Sequence, residues 1–188
     1  MATKGDRGKK KGKREPGRLS WPIRVFFISV SLSAVLSLVS NQLLGKASLA
    51  VSFIILLGFI ALGVVFDIIG VAVTTADERP FHSMASHHAP GARESLRLIR
   101  RASQVSSFCN DVVGDICGIV SGATAAVIVS ALGESFDMNT VLLSLCITAL
   151  VSGLTIGGKA LGKFFAMERS TSVVYWVGRV LHLFHRHA

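Results

Sequence analysis

Residues 49–76 read LAVSFIILLGFIALGVVFDIIGVAVTTA, an apolar run that contains one ionisable side chain, Asp67. A helix needs about 20 apolar residues to cross the hydrocarbon core of a bilayer. Residues 25–44, 108–132 and 139–158 are also long and apolar enough. We therefore predict an all-α integral membrane protein of four transmembrane helices. The first helix is expected to be a retained span and not a cleaved signal peptide, because no convincing small-residue cleavage site follows it.

Basic residues lie almost entirely on one side of these predicted spans. Nine Lys and Arg lie in residues 1–24, five in the loop 77–107 and five in the tail from Lys159, whereas the opposite side holds only Lys46. Because basic loops remain in the cytoplasm, both termini are predicted to be cytoplasmic, in a plasma or inner membrane. The polar arm of residues 1–20 is predicted to be disordered. With the other basic segments it is expected to contact anionic lipid, not nucleic acid.

Two segments are predicted to be amphipathic helices at the level of the cytoplasmic headgroups. In residues 92–105, apolar residues recur at helical spacing among arginines, and residues 164–184 repeat the pattern with aromatic residues. Such helices lie in the membrane interface. Packing of the two helices on each other or on a partner subunit is an equal alternative.

Three carboxylates fall within the predicted second and third spans, where each costs roughly 2.5–3.5 kcal/mol on insertion scales. With a rise of about 1.5 Å per residue, Asp67 and Asp115 come out at nearly the same depth on antiparallel helices. Asp111 lies four residues before Asp115 and shares its helix face, together with Ser107. Asn110 adds an amide on the neighbouring stripe. This arrangement predicts a polar site inside the membrane.

Small and hydroxyl residues accompany the carboxylates. Gly114, Gly118 and Gly122 form a ladder that allows another helix to approach closely. The fourth span carries a polar stripe that ends at Lys159 and consists of Ser144, Thr148, Ser152 and Thr155. Oxygen ligands of these kinds suit Mg²⁺ and Ca²⁺, whereas softer metals prefer Cys or His, and the predicted spans contain no His. Two structural alternatives are a protonated Asp and an Asp paired with Lys159.

Other chemistry has little support in the sequence. We find no Gly-rich phosphate loop, nucleophile elbow or zinc pattern, so no enzymatic activity is predicted. Cys109, Cys117 and Cys146 fall within apolar segments, where single cysteines usually serve as small packing residues.

The order of the segments resembles the transmembrane domain of the CNNM/CorB/CorC (cyclin M-like) magnesium transporters. The similar stretches are residues 76–80, the small-residue break 90–92, the basic helix 93–101, the Gly114-Asp115 pair and residues 158–163. The resemblance covers about residues 50–185. It assigns residues 49–188 to a CNNM/CorC-like domain without the CBS-pair and C-terminal domains, and leaves residues 21–48 as an additional N-terminal transmembrane helix.

The resemblance implies a homodimer that transports Mg²⁺ held among helix hydroxyls, an amide and backbone carbonyls. The positions of this chain that match the family's ion site are Asp67 and Asp115, with Gly70 and Gly114 as further candidates. Gly70 and Lys159 stand where the family has Glu.

Residues and resemblance together predict a protein that binds and transports a divalent cation, with Mg²⁺ as the first candidate. The predicted ligands are Asp67, Asp111, Asp115 and Asn110. The accessory positions are Gly70, Gly114, Ser107, Ser152, Thr155 and Lys159. The alternative is a membrane scaffold or regulatory subunit that transports nothing and in which Lys159 pairs with an Asp.

Overall fold

The computed structural model describes residues 20–44, 48–136 and 139–186, and all regular structure in this part of the chain is helical. Four of the described helical stretches are long and apolar enough to cross a membrane: Ile23–Gln42, Leu49–Thr75, Ala102–Glu134 and Thr140–Glu168. The protein is therefore an all-α, multi-pass membrane protein, as predicted. All but the last residue of the predicted disordered arm, residues 1–20, lies outside the described residues.

The described helices follow one another as a bundle with short connections. In chain order they are α1 (Ser20–Leu44), α2 (Leu49–Thr75), α3 (Arg79–Ser86), α4 (Ala92–Arg100), α5 (Ala102–Ser107), a π-helical segment (Phe108–Gly114), α6 (Asp115–Phe136), α7 (Thr140–Glu168) and α8 (Ser170–Arg186). α5, the π-helical segment and α6 run on without a break and together form the third span. α2 is the central helix, with its most extensive contacts to α7, α6 and the π-helical segment.

Small residues allow the neighbouring helices to approach α2 closely. A Cβ added to Gly63 of α2 would lie 3.2 Å from the Cβ of Cys117 in α6. A Cβ added to Gly162 of α7 would lie 2.9 Å from Cγ1 of Ile68 in α2. Since both distances are shorter than ordinary van der Waals contact, these glycines set how closely the second, third and fourth spans pack.

The structure places two helix boundaries differently from the sequence prediction. The predicted helix 92–105 is interrupted at Arg101, whose φ of −112° and ψ of 27° depart from helical values, so that α5 belongs to the third span. α7 continues past residue 158 to Glu168, and the tail helix begins only at Ser170. Gly162, in this continued part of α7, packs against α2.

A hydrophobic core lies where α3, α4 and α8 pack around the C-terminal end of α2. Phe81 of α3 and Val174 of α8 are fully buried against Ala72 of α2 and Ala166 of α7. α3 was not predicted from the sequence, although Pro80 in its first turn is typical of a helix start. The amphipathic helices α4 and α8 pack on each other, which was one of the two alternatives.

The backbones of α4 and α8 come into direct contact at two glycines. Gly91, with a φ of +88°, lies against Gly178 and the residue after it, and a Cβ on Gly178 would be 2.6 Å from the Gly91 carbonyl oxygen. The buried Ser95 hydroxyl lies 2.9 Å from the Gly91 carbonyl oxygen and 3.1 Å from that of Val174 and can donate to either. These contacts fix α8 on α4.

Candidate functional site

Asp67 lies on the face of α2 that packs against the third span. Its side chain is 4 % exposed, and among the described residues its Oδ2 atom has no hydrogen-bond partner. Gly63 and Gly70 lie four residues before and three residues after it, on the same helix face. Gly63 contacts Cys117 of α6, and Gly70 contacts Asn110 of the π-helical segment. Asp67 therefore faces the third span between these two contacts.

Asn110 approaches α2 from the start of the π-helical segment. Its Nδ2 donates a 3.3 Å hydrogen bond to the Ser106 hydroxyl. Its Oδ1 is buried and receives no hydrogen bond within the part of the chain that the structure describes. The amide lies where a Cβ on Gly70 would be, so this contact depends on the missing side chain.

The third span changes from α-helix to π-helix at Phe108–Gly114, next to Asp67 and Asn110. Short π-helical segments are rare and occur frequently at functional sites. Val112, Val113 and Gly114 of this segment are buried. The π-helical segment was not predicted from the sequence, because such segments have no recognised composition.

The two unsatisfied oxygens restrict what can occupy this contact. An ionised carboxylate and an amide oxygen are both acceptors, so they cannot satisfy each other. A buried acceptor without a partner costs about 1–3 kcal/mol, and more when it is charged. A proton on Asp67, a water molecule or a hard cation can relieve this cost, and hard cations take both carboxylate and amide oxygens as ligands.

Asp111 and Asp115 lie near the depth of Asp67, but their side chains are exposed and outside the buried contact. Successive residues of an α-helix are turned by about 100°. Because Gly114 is buried, Asp115 lies about a quarter of a turn away from the buried face. The π-helical segment also changes the angle between Asp111 and Asp115 from the value that a regular α-helix would give. Ser107 is only half-buried. The structure thus places Asp67 and Asn110 along the same buried face between α2 and the third span. The other two acids lie outside this face.

Lys159 extends towards the backbone of the third span. Its Nζ atom lies 3.6 Å from where a Cβ on Gly114 would be. It forms no ion pair with any carboxylate among the described residues. The Asp–Lys159 pair of the alternative prediction is therefore absent from this part of the chain.

The remaining accessory residues line a different surface. Gly118 and Gly122 border a groove of about 240 Å³ between α6 and α7, with Ser152 and Thr155 opposite them. A Cβ on either glycine would meet nothing within 4 Å, so no described helix packs closely against Gly118 or Gly122. The Thr155 hydroxyl donates to the Val151 carbonyl of its own helix at 2.8 Å.

Among the described residues, Asp67 is the one buried carboxylate at this contact. Nowhere in the described ranges do three His, Cys, Asp or Glu side chains lie close enough together to hold a metal ion. A cation between α2 and the π-helical segment would therefore be bound by Asp67, by Asn110 and by neutral oxygens such as backbone carbonyls.

The fold and this contact define a class: a multi-pass helical membrane protein with a buried carboxylate between two of its spans. Comparisons with protein-family models, curated proteins and solved structures found no match. The resemblance to the CNNM/CorB/CorC transmembrane domain stays a prediction, based on the order and spacing of the segments in the sequence.

Proposed function

We propose that this protein binds a hard divalent cation, Mg²⁺ in the first instance, between α2 and the π-helical segment and moves it across the membrane. The observation that carries the proposal is the pair of buried oxygens, Asp67 Oδ2 and Asn110 Oδ1, which no described donor satisfies. Carboxylate, amide and carbonyl oxygens are the ligands that Mg²⁺ and Ca²⁺ prefer. An ionisable residue inside a span is a functional-site hypothesis by default.

The homodimer implied by the resemblance belongs to the same proposal. The groove between α6 and α7 supports it, because small residues allow close helix contacts and a Cβ on Gly118 or Gly122 would meet nothing within 4 Å. A second copy at this groove would cover Ser152 and Thr155, which are among the predicted accessory residues.

The alternative of a scaffold or regulatory subunit depends on Lys159 neutralising an Asp. The described residues contain no such ion pair, and Asp67 Oδ2 has no partner of any kind among them. This geometry favours the cation proposal.

The substitution Asp67→Asn tests the proposal, because it keeps the shape of the side chain and removes its charge. A ligand that binds only the folded protein stabilises it by about 2.7 kcal/mol at a hundredfold excess over its Kd. We expect Mg²⁺ to raise the Tm of the wild-type protein in detergent and to have little effect on the variant. Without Mg²⁺, the variant should melt at the wild-type temperature or above, since a costly buried charge is gone.

Glu134→Gln is the matched control, because it removes an exposed acid at the far end of α6, and it should keep the full Mg²⁺ response. Asp111→Asn and Asp115→Asn show whether the exposed acids contribute to binding, and uptake of Mg²⁺ into proteoliposomes tests transport. An unchanged Mg²⁺ response in Asp67→Asn would contradict the proposal.

A further inference from the structure

Three arginines surround one cavity beside the start of the third span. Arg97 and Arg100 of α4 and Arg101, in the break before α5, line a cavity of about 470 Å³. Arg100 lies 3.9 Å from the Glu78 carboxylate, and Arg97 and Arg101 form no ion pair with described residues. The three guanidinium groups around one space outnumber the one carboxylate that pairs with them, so they attract an anion.

A mostly apolar groove of about 320 Å³ adjoins the arginine cavity. It is lined by Glu94, Arg97, Leu98, Arg101, Val105 and Leu181. Arg97 and Arg101 line both spaces, so an anion in the cavity would lie directly beside the apolar groove. Glu94 lines the groove but not the arginine cavity, and its carboxylate lies 3.3 Å from Nδ1 of His182 on α8. The two spaces together fit a molecule with an anionic head and an apolar chain.

The depth of the two spaces agrees with this chemistry. The third span begins at Ala102, so Arg101 immediately precedes it and Val105 lies about one turn inside it. The cavity is therefore at the level of the lipid headgroups, and the groove leads towards the hydrocarbon. Arginine binds phosphate through two parallel hydrogen bonds, whereas lysine binds it as a point charge. Arginine is therefore the better phosphate ligand in this position.

We propose that this cavity binds the phosphate of an anionic glycerophospholipid, with one acyl chain in the groove of Leu98, Val105 and Leu181. The lipid would connect α4, α5 and α8 at one site, which is more specific than the general lipid contact predicted from the basic segments. This proposal is independent of the cation site at Asp67.

The test compares two double variants of the full chain that lose the same charge. Arg97→Gln with Arg101→Gln changes the cavity, whereas Arg79→Gln with Arg93→Gln changes exposed arginines outside it. Native mass spectrometry of the detergent-purified protein, titrated with phosphatidylglycerol, measures lipid bound per chain. We expect the cavity variant to bind about tenfold more weakly, as the loss of charge-assisted hydrogen bonds implies, and the control to bind like the wild type. Equal binding by the two double variants would overturn the proposal.

A second comparison distinguishes a lipid from a free phosphate compound. Leu181→Asn removes an apolar wall of the groove without changing charge, so it should weaken binding of phosphatidylglycerol. If glycerophosphate, which has no acyl chain, competes equally well and Leu181→Asn has no effect, the lipid assignment is wrong. Arg97→Lys with Arg101→Lys keeps the charge and provides a milder variant, with binding expected between the wild type and the Gln pair.

Discussion

Gly70 makes room for the Asn110 amide, and the candidate site depends on this contact. An added methyl group at Gly70 would occupy the position of the Asn110 side chain. Overpacking of this kind costs about 1–3 kcal/mol, more than the roughly 0.5–1 kcal/mol that Ala gains over Gly in a helix. We expect Gly70→Ala to lower the Tm in detergent and to reduce the Mg²⁺-dependent rise in Tm.

Gly58→Ala is the matched control, because it lies on the same helix and a Cβ there would meet nothing within 4 Å. Its Tm should equal that of the wild type or exceed it slightly. If Gly70→Ala melts like Gly58→Ala and keeps the Mg²⁺ response, the amide does not rely on Gly70 for its position.

At the scale of elements, the π-helical segment explains why only part of the candidate site could be predicted. The sequence singles out Asp67 because a charge in an apolar run is visible without a structure. Asn110 also appears among the predicted ligands. The exposure of Asp111 and Asp115 was not predictable from a regular helical period, since the segment between them is π-helical and depends on packing against α2. Gly63 and Gly70, on the same face as Asp67, were the available signal for that packing.

The ends of α4 and α7 show a second limit of sequence patterns. Polar residues alternate with apolar residues on both sides of Arg101, with arginines before it and Ser and Gln after it, so the amphipathic pattern indicates a helix but not where it breaks. The break at Arg101 separates α4, which packs on α8, from α5, which packs on α2. Only the tertiary contacts show that α4 and α5 pack on different helices.

The contact between α4 and α8 should depend on pH through Glu94. Burial raises the pKa of Glu94, but a backbone hydrogen bond, the hydrogen bond and charge of His182 and the charge of Arg97 outweigh it and lower the pKa below its usual 4.5. A carboxyl with a lowered pKa stabilises the fold above its unfolded pKa, and this contribution disappears as the pH falls through the folded value. We expect faster hydrogen exchange of α8 amides as the pH falls below about 4.5, after correction for the intrinsic exchange rate.

Glu94→Gln should remove this acid-induced change, with α8 exchanging faster already at neutral pH. Glu168→Gln, an exposed acid at the end of α7, is the control and should retain the wild-type pH dependence. The same acid response in Glu94→Gln and in the wild type would show that another group controls the attachment of α8.

At the scale of the whole molecule, the segregation of apolar and basic residues predicted the architecture. Each apolar run became a helix long enough to span the bilayer, because a lipid-exposed backbone must satisfy its own hydrogen bonds. The core around Phe81 was not predicted, since α3 is short and its one fully buried residue gives no periodic pattern.

The charge asymmetry predicts the orientation of the molecule: nineteen of the twenty Lys and Arg lie on the side of the termini and the 77–107 loop. Because basic residues near span ends are retained in the cytoplasm, we expect Gly5→Cys and Ala188→Cys to react with a membrane-impermeant maleimide only after the cells are permeabilised. Glu134→Cys, at the opposite end of α6, should react in intact cells and serves as the positive control. Labelling of both termini from outside would reverse the orientation, and labelling of only one would require an odd number of crossings, which the four spans do not allow.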